Sequence, residues 1–127
     1  MTGYVSNIDQ LTLANNFFRQ VLFTGKYTQL VVMALQPNED IGLEVHDTVD
    51  QFFRVEKGRG KVIMNSEETV IQDGSAFVVP AGTQHNVINT SATDQLKLYT
   101  LYSPPNHPDG TVHQTKAGAM ADETDHL

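Results

Sequence analysis

Turn-forming residues interrupt this chain roughly every eight to twelve residues, and the stretches between them are short and rich in β-branched side chains. The breaks fall at 37–40, 47–50, 57–60, 65–67, 73–74, 80–82 and 89–94. Proline cannot donate to a strand ladder, and Asp-Gly and Asn-rich clusters favour tight turns. Between the breaks, 28–35 is a continuous apolar run that reads as a buried strand. Segments 41–46, 51–56, 61–64, 68–72, 75–79, 85–89 and 95–102 read as further strands. The first 26 residues are the least regular, with 15–23 expected as an extended edge segment. Pro104, Pro105 and Pro108 end the regular pairing. Eight or nine short strands without a sustained helical period predict an all-β fold, closed or double-sheeted.

A chain of 127 residues is expected to form one domain, and 39% hydrophobic residues supply one modest core. The net charge of −7, from fifteen acids and eight bases, argues against a phosphate-tracking surface, so no nucleic-acid partner is expected. The absence of cysteine excludes disulfides, thiolate metal sites and cysteine nucleophiles. The N-terminal residues lack the basic and apolar regions of a signal peptide. No apolar run approaches the roughly 20 residues of a spanning helix. A cytoplasmic location with no membrane partner is the expectation.

The segment Gly74-Ser-Ala-Phe-Val-Val-Pro80-Ala-Gly82-Thr-Gln-His85-Asn-Val-Ile-Asn89 fits the pattern G-x5-P-x-G-x2-H-x3-N at every fixed position. That pattern is the second motif of the cupins, which this chain resembles over about residues 28–102. The first cupin motif, G-x5-H-x-H-x3,4-E-x6-G, keeps its spacing but only part of its letters. His46 and Gly58 match. Asn38 stands at the leading glycine, Glu44 at the first histidine and Gln51 at the glutamate. The resemblance implies a cupin-type double-stranded β-helix, or jelly-roll barrel. Its core would span about 28–102, with an N-terminal edge segment 1–27 and a C-terminal extension 103–127. It also implies a divalent metal ion and a homodimer in which the apolar stretch Phe17–Phe23 lies across the partner's sheet. The usual family set of three neutral histidines and one glutamate carries a ligand charge of −1. Exchanging a histidine for Glu44 and the glutamate for Gln51 leaves that charge unchanged, which favours a retained ion. The other reading is a site that has lost its metal.

Strand geometry groups the same residues. Side chains two apart on a strand share a face, so Glu44 and His46 point together. Gln51 follows after a turn, and His85 arrives from a different hairpin. Glu44, His46 and His85 form a two-histidine, one-carboxylate set suited to Fe, Mn, Ni or Zn. Gln51 is either a weak fourth ligand through its amide oxygen or a donor to bound water or substrate.

Other side chains are read conservatively. Phe53, Met33 and Met64 are expected in the core, with Phe53 as an alternative pocket wall. Arg54, facing the other way from Phe53, pairs with an acid. Tyr99 and Tyr102 lie on opposite faces and pack, unless one hydroxyl enters the pocket. Arg19 and Lys26 are expected to be solvated, the alternative being a grip on an anionic substrate. His107 and His113 are expected on a surface loop. The sharper alternative folds that loop over a barrel mouth, where it lends a histidine to a substrate. His126 is placed in a solvated acidic tail.

These residues support a metal-dependent enzyme acting on a small polar, sugar-like or keto-acid substrate, by Lewis-acid isomerase or lyase chemistry or by dioxygenation. The alternative is a non-catalytic small-ligand-binding module whose metal is structural or absent. No catalytic residue is assigned, and Gln51 cannot serve as a general base because an amide does not titrate usefully.

Overall fold

The computed structural model describes residues 2–125. Its elements run α1 (Ile8–Ala14), β1 (Arg19–Thr24), β2 (Gln29–Leu35), β3 (Asp50–Lys57), β4 (Arg59–Met64), β5 (Glu67–Gln72), β6 (Ala76–Val79), β7 (His85–Asn89), β8 (Leu96–Ser103), β9 (Val112–His113) and α2 (Lys116–Ala121). Six strands form one antiparallel sheet in the order β6-β3-β8-β2-β1-β9, and three form a second in the order β5-β4-β7. The result is the double-sheeted all-β fold expected from the turn spacing, and the jelly roll that the cupin resemblance implies. His126, expected in a solvated tail, lies outside the described residues.

Alternation along the strands builds the core. On β3, Gln51, Phe53 and Val55 face inward, and on β8 Leu96, Leu98, Thr100 and Tyr102 do so. They meet Val62 of β4 and Val87 of β7 from the smaller sheet. Phe53 stacks on Phe77 at 4.7 Å between ring centroids and is core rather than pocket wall. Met33 is fully buried and Met64 packs against the same cluster. Strand β2 is buried almost throughout, because α1 packs on the sheet beside it.

Three expectations are corrected here. The irregular N-terminus contains a helix, α1, capped by Asn7, whose side chain accepts from the Gln10 N–H at 3.1 Å. The stretch Phe17–Phe23 is not an unpaired edge, because β1 pairs with β2 along its length and with β9 at Arg19 and Gln20. Residues 41–46 are not a strand. They touch β7 through two isolated bridges, Asp40 to Ile88 and Glu44 to His85.

The segment after β8 is also not a surface loop. Gln29, fully buried on β2, accepts from the N–H groups of Asn106 and His107 and donates to the His107 carbonyl. One amide thus fixes the start of the segment to the sheet. The chain then pairs β9 with β1, forms α2 and ends its described course at the buried Asp125. His107 and His113 are both buried. Among the described residues no helix is long and apolar enough to cross a membrane.

Candidate metal centre

A one-residue irregularity decides which side chains of 41–46 face the barrel. A regular antiparallel ladder continuing from Asp40–Ile88 would place residue 43 opposite His85, yet Glu44 is found there. The extra residue forms a bulge, absorbed at Gly42, whose φ of 111° is left-handed backbone that favours glycine. The Asn86 side-chain oxygen accepts the Gly42 N–H at 3.0 Å, and its amide nitrogen donates to Asp40 at 2.8 Å. Because side-chain direction has a period of two, one extra residue reverses the faces. Leu43 and Val45 are 65% and 46% exposed, while Glu44 and His46 turn inward.

The ligand atoms of Glu44, His46 and His85 all lie within 4.8 Å of one another. Each is held by the chain around it. Glu44 and His85 exchange both backbone hydrogen bonds at 2.9 Å. Gly82, in the Pro80–Gly82 turn, donates its N–H to the His46 carbonyl at 2.8 Å. His85 Nδ1 lies 3.0 Å from the Thr83 carbonyl, so that nitrogen carries the proton and donates. This leaves the lone pair on His85 Nε2, a buried atom with no hydrogen-bond partner. Burial lowers the His85 pKa, against the Thr83 hydrogen bond and the Glu44 charge, which favours the neutral ring.

Gln51 is buried on β3, next to Tyr102 across the ladder. The Thr100 hydroxyl donates to the Phe52 carbonyl at 2.8 Å, so it accepts from Gln51 Nε2 at 3.0 Å. The amide orientation follows, and Oε1 is left as a second buried atom without a partner. Glu44 accepts from His46 Nε2 at 3.0 Å. Burial pushes the Glu44 carboxyl up. The His46 hydrogen bond and the charges of His46, Arg19 and His85 outweigh this and hold it below its ordinary value. One carboxylate and two imidazoles, one of which keeps a buried Nε2 without a hydrogen-bond partner, make a donor set that fits a divalent cation.

Two hollows meet at Glu44. One, of about 560 Å³, is lined by Glu44, His46 and Asn106 among others. The other, of about 180 Å³, is lined by Glu44 together with Arg19, Lys116, Asp122 and Asp125. A larger hollow of about 800 Å³, around Lys57, Arg59 and Lys97, shares none of these residues.

Arg19 is therefore buried rather than solvated, and it organises the segment that covers the barrel. Its Nη1 lies 3.3 Å from both Asp125 Oδ2 and His113 Nδ1. A guanidinium only donates, so His113 accepts at Nδ1 and donates from Nε2 to Asp122 at 2.9 Å. His107 Nδ1 donates to Asp125 Oδ1 at 2.7 Å. The Tyr102 ring stands between the two histidine groups, with its centroid 5.9 Å from His46 and 5.0 Å from His107. His113, Asp122 and Asp125 are spaced as a second ligand group. Arg19 already supplies the positive charge there, so this cluster is a hydrogen-bonded latch. Sequence reasoning missed this buried role for Arg19 and Asp125. The one available signal was a lone cation inside the apolar stretch from Phe17 to Phe23.

The family model for the cupin domain matches residues 31–102, the span that carries both motifs and the three grouped ligands. The chain belongs to the cupin family. It is similar to YrkC of Bacillus subtilis strain 168, at 55% identity over 94% of this chain and 67% of that protein. It is also similar to L612 of Acanthamoeba polyphaga mimivirus, at 42% identity over 95% and 79%. The crystal structure of BH2720 from Bacillus halodurans aligns with a TM-score of 0.92 and 49% identity over 94% of both chains. Within this cupin, Asn38 takes the glycine position of the first motif with φ 63°, a conformation asparagine tolerates better than most residues. Asn89, the last position of the second motif, is structural. Its amide donates to the carbonyls of Leu35, Gln36 and Asp94 and ties β2, β7 and the β7–β8 loop together.

Proposed function

We propose that Glu44, His46 and His85 hold a divalent cation (Fe, Mn, Ni or Zn), with Gln51 as a weaker fourth donor. In this reading the cupin is a metal-dependent enzyme for a small polar substrate of keto-acid or sugar-like kind. The observation that carries this is the pair of buried lone pairs, His85 Nε2 and Gln51 Oε1, that have no protein partner. Burying an acceptor without a partner costs about 1–3 kcal/mol, and a cation bound at such an atom would remove that cost. When bound, such an ion supplies Lewis-acid polarisation of a substrate oxygen, or O₂ chemistry if it is iron.

The remaining work falls to the chain. The Thr83 carbonyl and the Thr100 hydroxyl aim the two lone pairs. Burial pushes the Tyr102 hydroxyl far above its ordinary pKa, so it stays protonated and is not a base. Asn106 lines the hollow of about 560 Å³ beside Glu44 and His46, and its side-chain N–H₂ is buried without a partner, a donor suited to a substrate oxygen. Metal analysis of protein purified without chelators from metal-replete growth tests the proposal. The expected result is about one equivalent of a divalent ion, lost in Glu44→Ala and His85→Ala. A parent protein with far less than one equivalent would sink it.

A homodimer belongs to the same proposal. Strands β5 and β6 are sheet edges and carry the exposed Val70 and Val78. Size exclusion should give about twice the 14.1 kDa monomer mass, and a clean monomer at micromolar concentration removes the idea.

A further inference from the structure

The structure assigns Arg19 and His107 a second role: they form a carboxylate-binding site that the chain's own Asp125 occupies. We infer that a small carboxylic acid displaces Asp125 and docks there, which rests on the enzyme reading for its consequence, a carboxylate substrate anchored beside Glu44. The argument begins with burial. Arg19, His107 and Asp125 are 4%, 1% and 6% or less exposed in residue or side chain. A buried carboxylate held by a guanidinium and an imidazole N–H is a recognition geometry in itself.

The present occupant meets His107 at 2.7 Å but fits the Arg19 side of this geometry poorly. Asp125 meets Arg19 through one contact, at 3.3 Å, where a charge-assisted bond usually measures about 2.7–2.9 Å. Arg19 Nε is buried and has no hydrogen-bond partner. A free carboxylate, not tethered to a backbone, can take Nε and a terminal nitrogen together in the two-pronged pairing that guanidinium favours. An incoming carboxylate also replaces the charge that leaves, so Arg19 is never left buried and unpaired.

The occupant is weakly retained as well. Helix α2 has no buried residue, and Met120 on it is 78% exposed. Apart from Ala119, which packs against the core, the segment from Thr115 is held by polar latches. These are Lys116 on Asp40, His113 on Asp122, and Asp125 on Arg19 and His107. A segment with so little buried apolar area opens at low free-energy cost. Arg19, Asp125 and Glu44 line one hollow, so a molecule gripped at Arg19 lies next to the candidate ligand set.

The test uses the 127-residue chain after chelator dialysis, so that no carboxylate is held by a cation. Acetate is titrated against acetamide as the neutral control, with NMR of the His107 ring and hydrogen exchange at Gly118 and Ala119 as readouts. Acetate should shift the His107 resonances saturably and speed exchange across 115–125, and acetamide should do neither. Removing an intramolecular competitor that occupies the site about nine-tenths of the time raises apparent affinity about tenfold, so Asp125→Asn should bind acetate at least that much more tightly. Arg19→Gln should lose the response. Acetate that leaves His107 and the α2 amides unmoved in the parent overturns the proposal, whatever the variants do. So does an Asp125→Asn protein that binds no more tightly than the parent. The metal reading is tested separately by metal content: either can fail while the other stands.

Discussion

At the scale of single residues, the site depends on where protons are fixed. His85 presents Nε2 because Thr83 takes the Nδ1 proton, and Gln51 presents Oε1 because Thr100 takes its N–H. These two partners act on atoms that have no other hydrogen bond, so the effect of removing each ligand can be ranked. Gln51→Leu should leave the fold intact and weaken divalent-ion affinity about tenfold to a hundredfold, the range seen when supporting groups around a metal are removed. Glu44→Ala and His85→Ala remove a charged or principal ligand and should abolish stoichiometric binding. Competition of each variant against a chelating metal indicator orders them. A Gln51→Leu protein that binds as tightly as the parent would remove Gln51 from the ligand set. Two of these side chains, His46 and His85, are legible from motif position alone. Glu44 required the additional argument that strand neighbours two apart share a face, and that argument grouped it with His46, as the structure does, by an incomplete route. Residues 41–46 do not form the regular strand it assumed, and the Gly42 bulge sets the parity.

At the scale of elements, two glycines control the smaller sheet in different ways. A Cβ on Gly60 would sit 2.2 Å from the Ile88 carbonyl oxygen, a backbone atom that cannot rotate away. Gly60→Ala must therefore push β4 from β7. We expect a loss of about 3 kcal/mol, the upper end for overpacking, read as a melting temperature lower by roughly 10 °C. A Cβ on Gly42 meets nothing within 4 Å, but its φ is strained for any other residue. Gly42→Ala should cost about 1–3 kcal/mol and, unlike Gly60→Ala, should reduce metal retention more than stability by tilting Glu44. Equal metal retention in the two variants would refute the bulge as the device that aims Glu44. The strands of the barrel were readable because turn chemistry and apolar alternation are local. Helix α1 was readable in principle from Asn7 and Asp9, a capping residue and an acid in the first turn. The C-terminal cover was not, because its contacts with Arg19 join residues 94 and 106 positions apart and leave no periodic trace.

At the scale of the whole molecule, several buried groups bias the fold against protons in the same direction. Burial lowers the pKa of both His85 and His107 from 6.5. At His107 the nearby Arg19 charge adds to the effect and Asp125 opposes it. In the window just below pH 6.5 the unfolded chain binds protons that the folded chain refuses. Stability therefore rises with pH through that window and falls as acid is added. The lowered carboxyls of Glu44 and of Asp40, the latter held down first by its hydrogen bond from Lys116, extend the loss below their ordinary values of 4.5 and 3.8. Glu56, raised by burial and by Asp9, opposes the trend near pH 4.5 as a single partner against two. Melting temperature measured in chelator should thus decline by several degrees from pH 7 to pH 5 and more steeply toward pH 4. His107→Gln should flatten the upper part of that decline whatever its effect on absolute stability, because the glutamine amide cannot take up the proton. A parent protein whose melting temperature is level or rising from pH 7 down to pH 5 would contradict the placement of two neutral histidines in the barrel. An unflattened slope in His107→Gln would assign the whole effect to His85. The cover over the mouth would then be insensitive to protons, and only the metal-side histidine would couple the fold to pH.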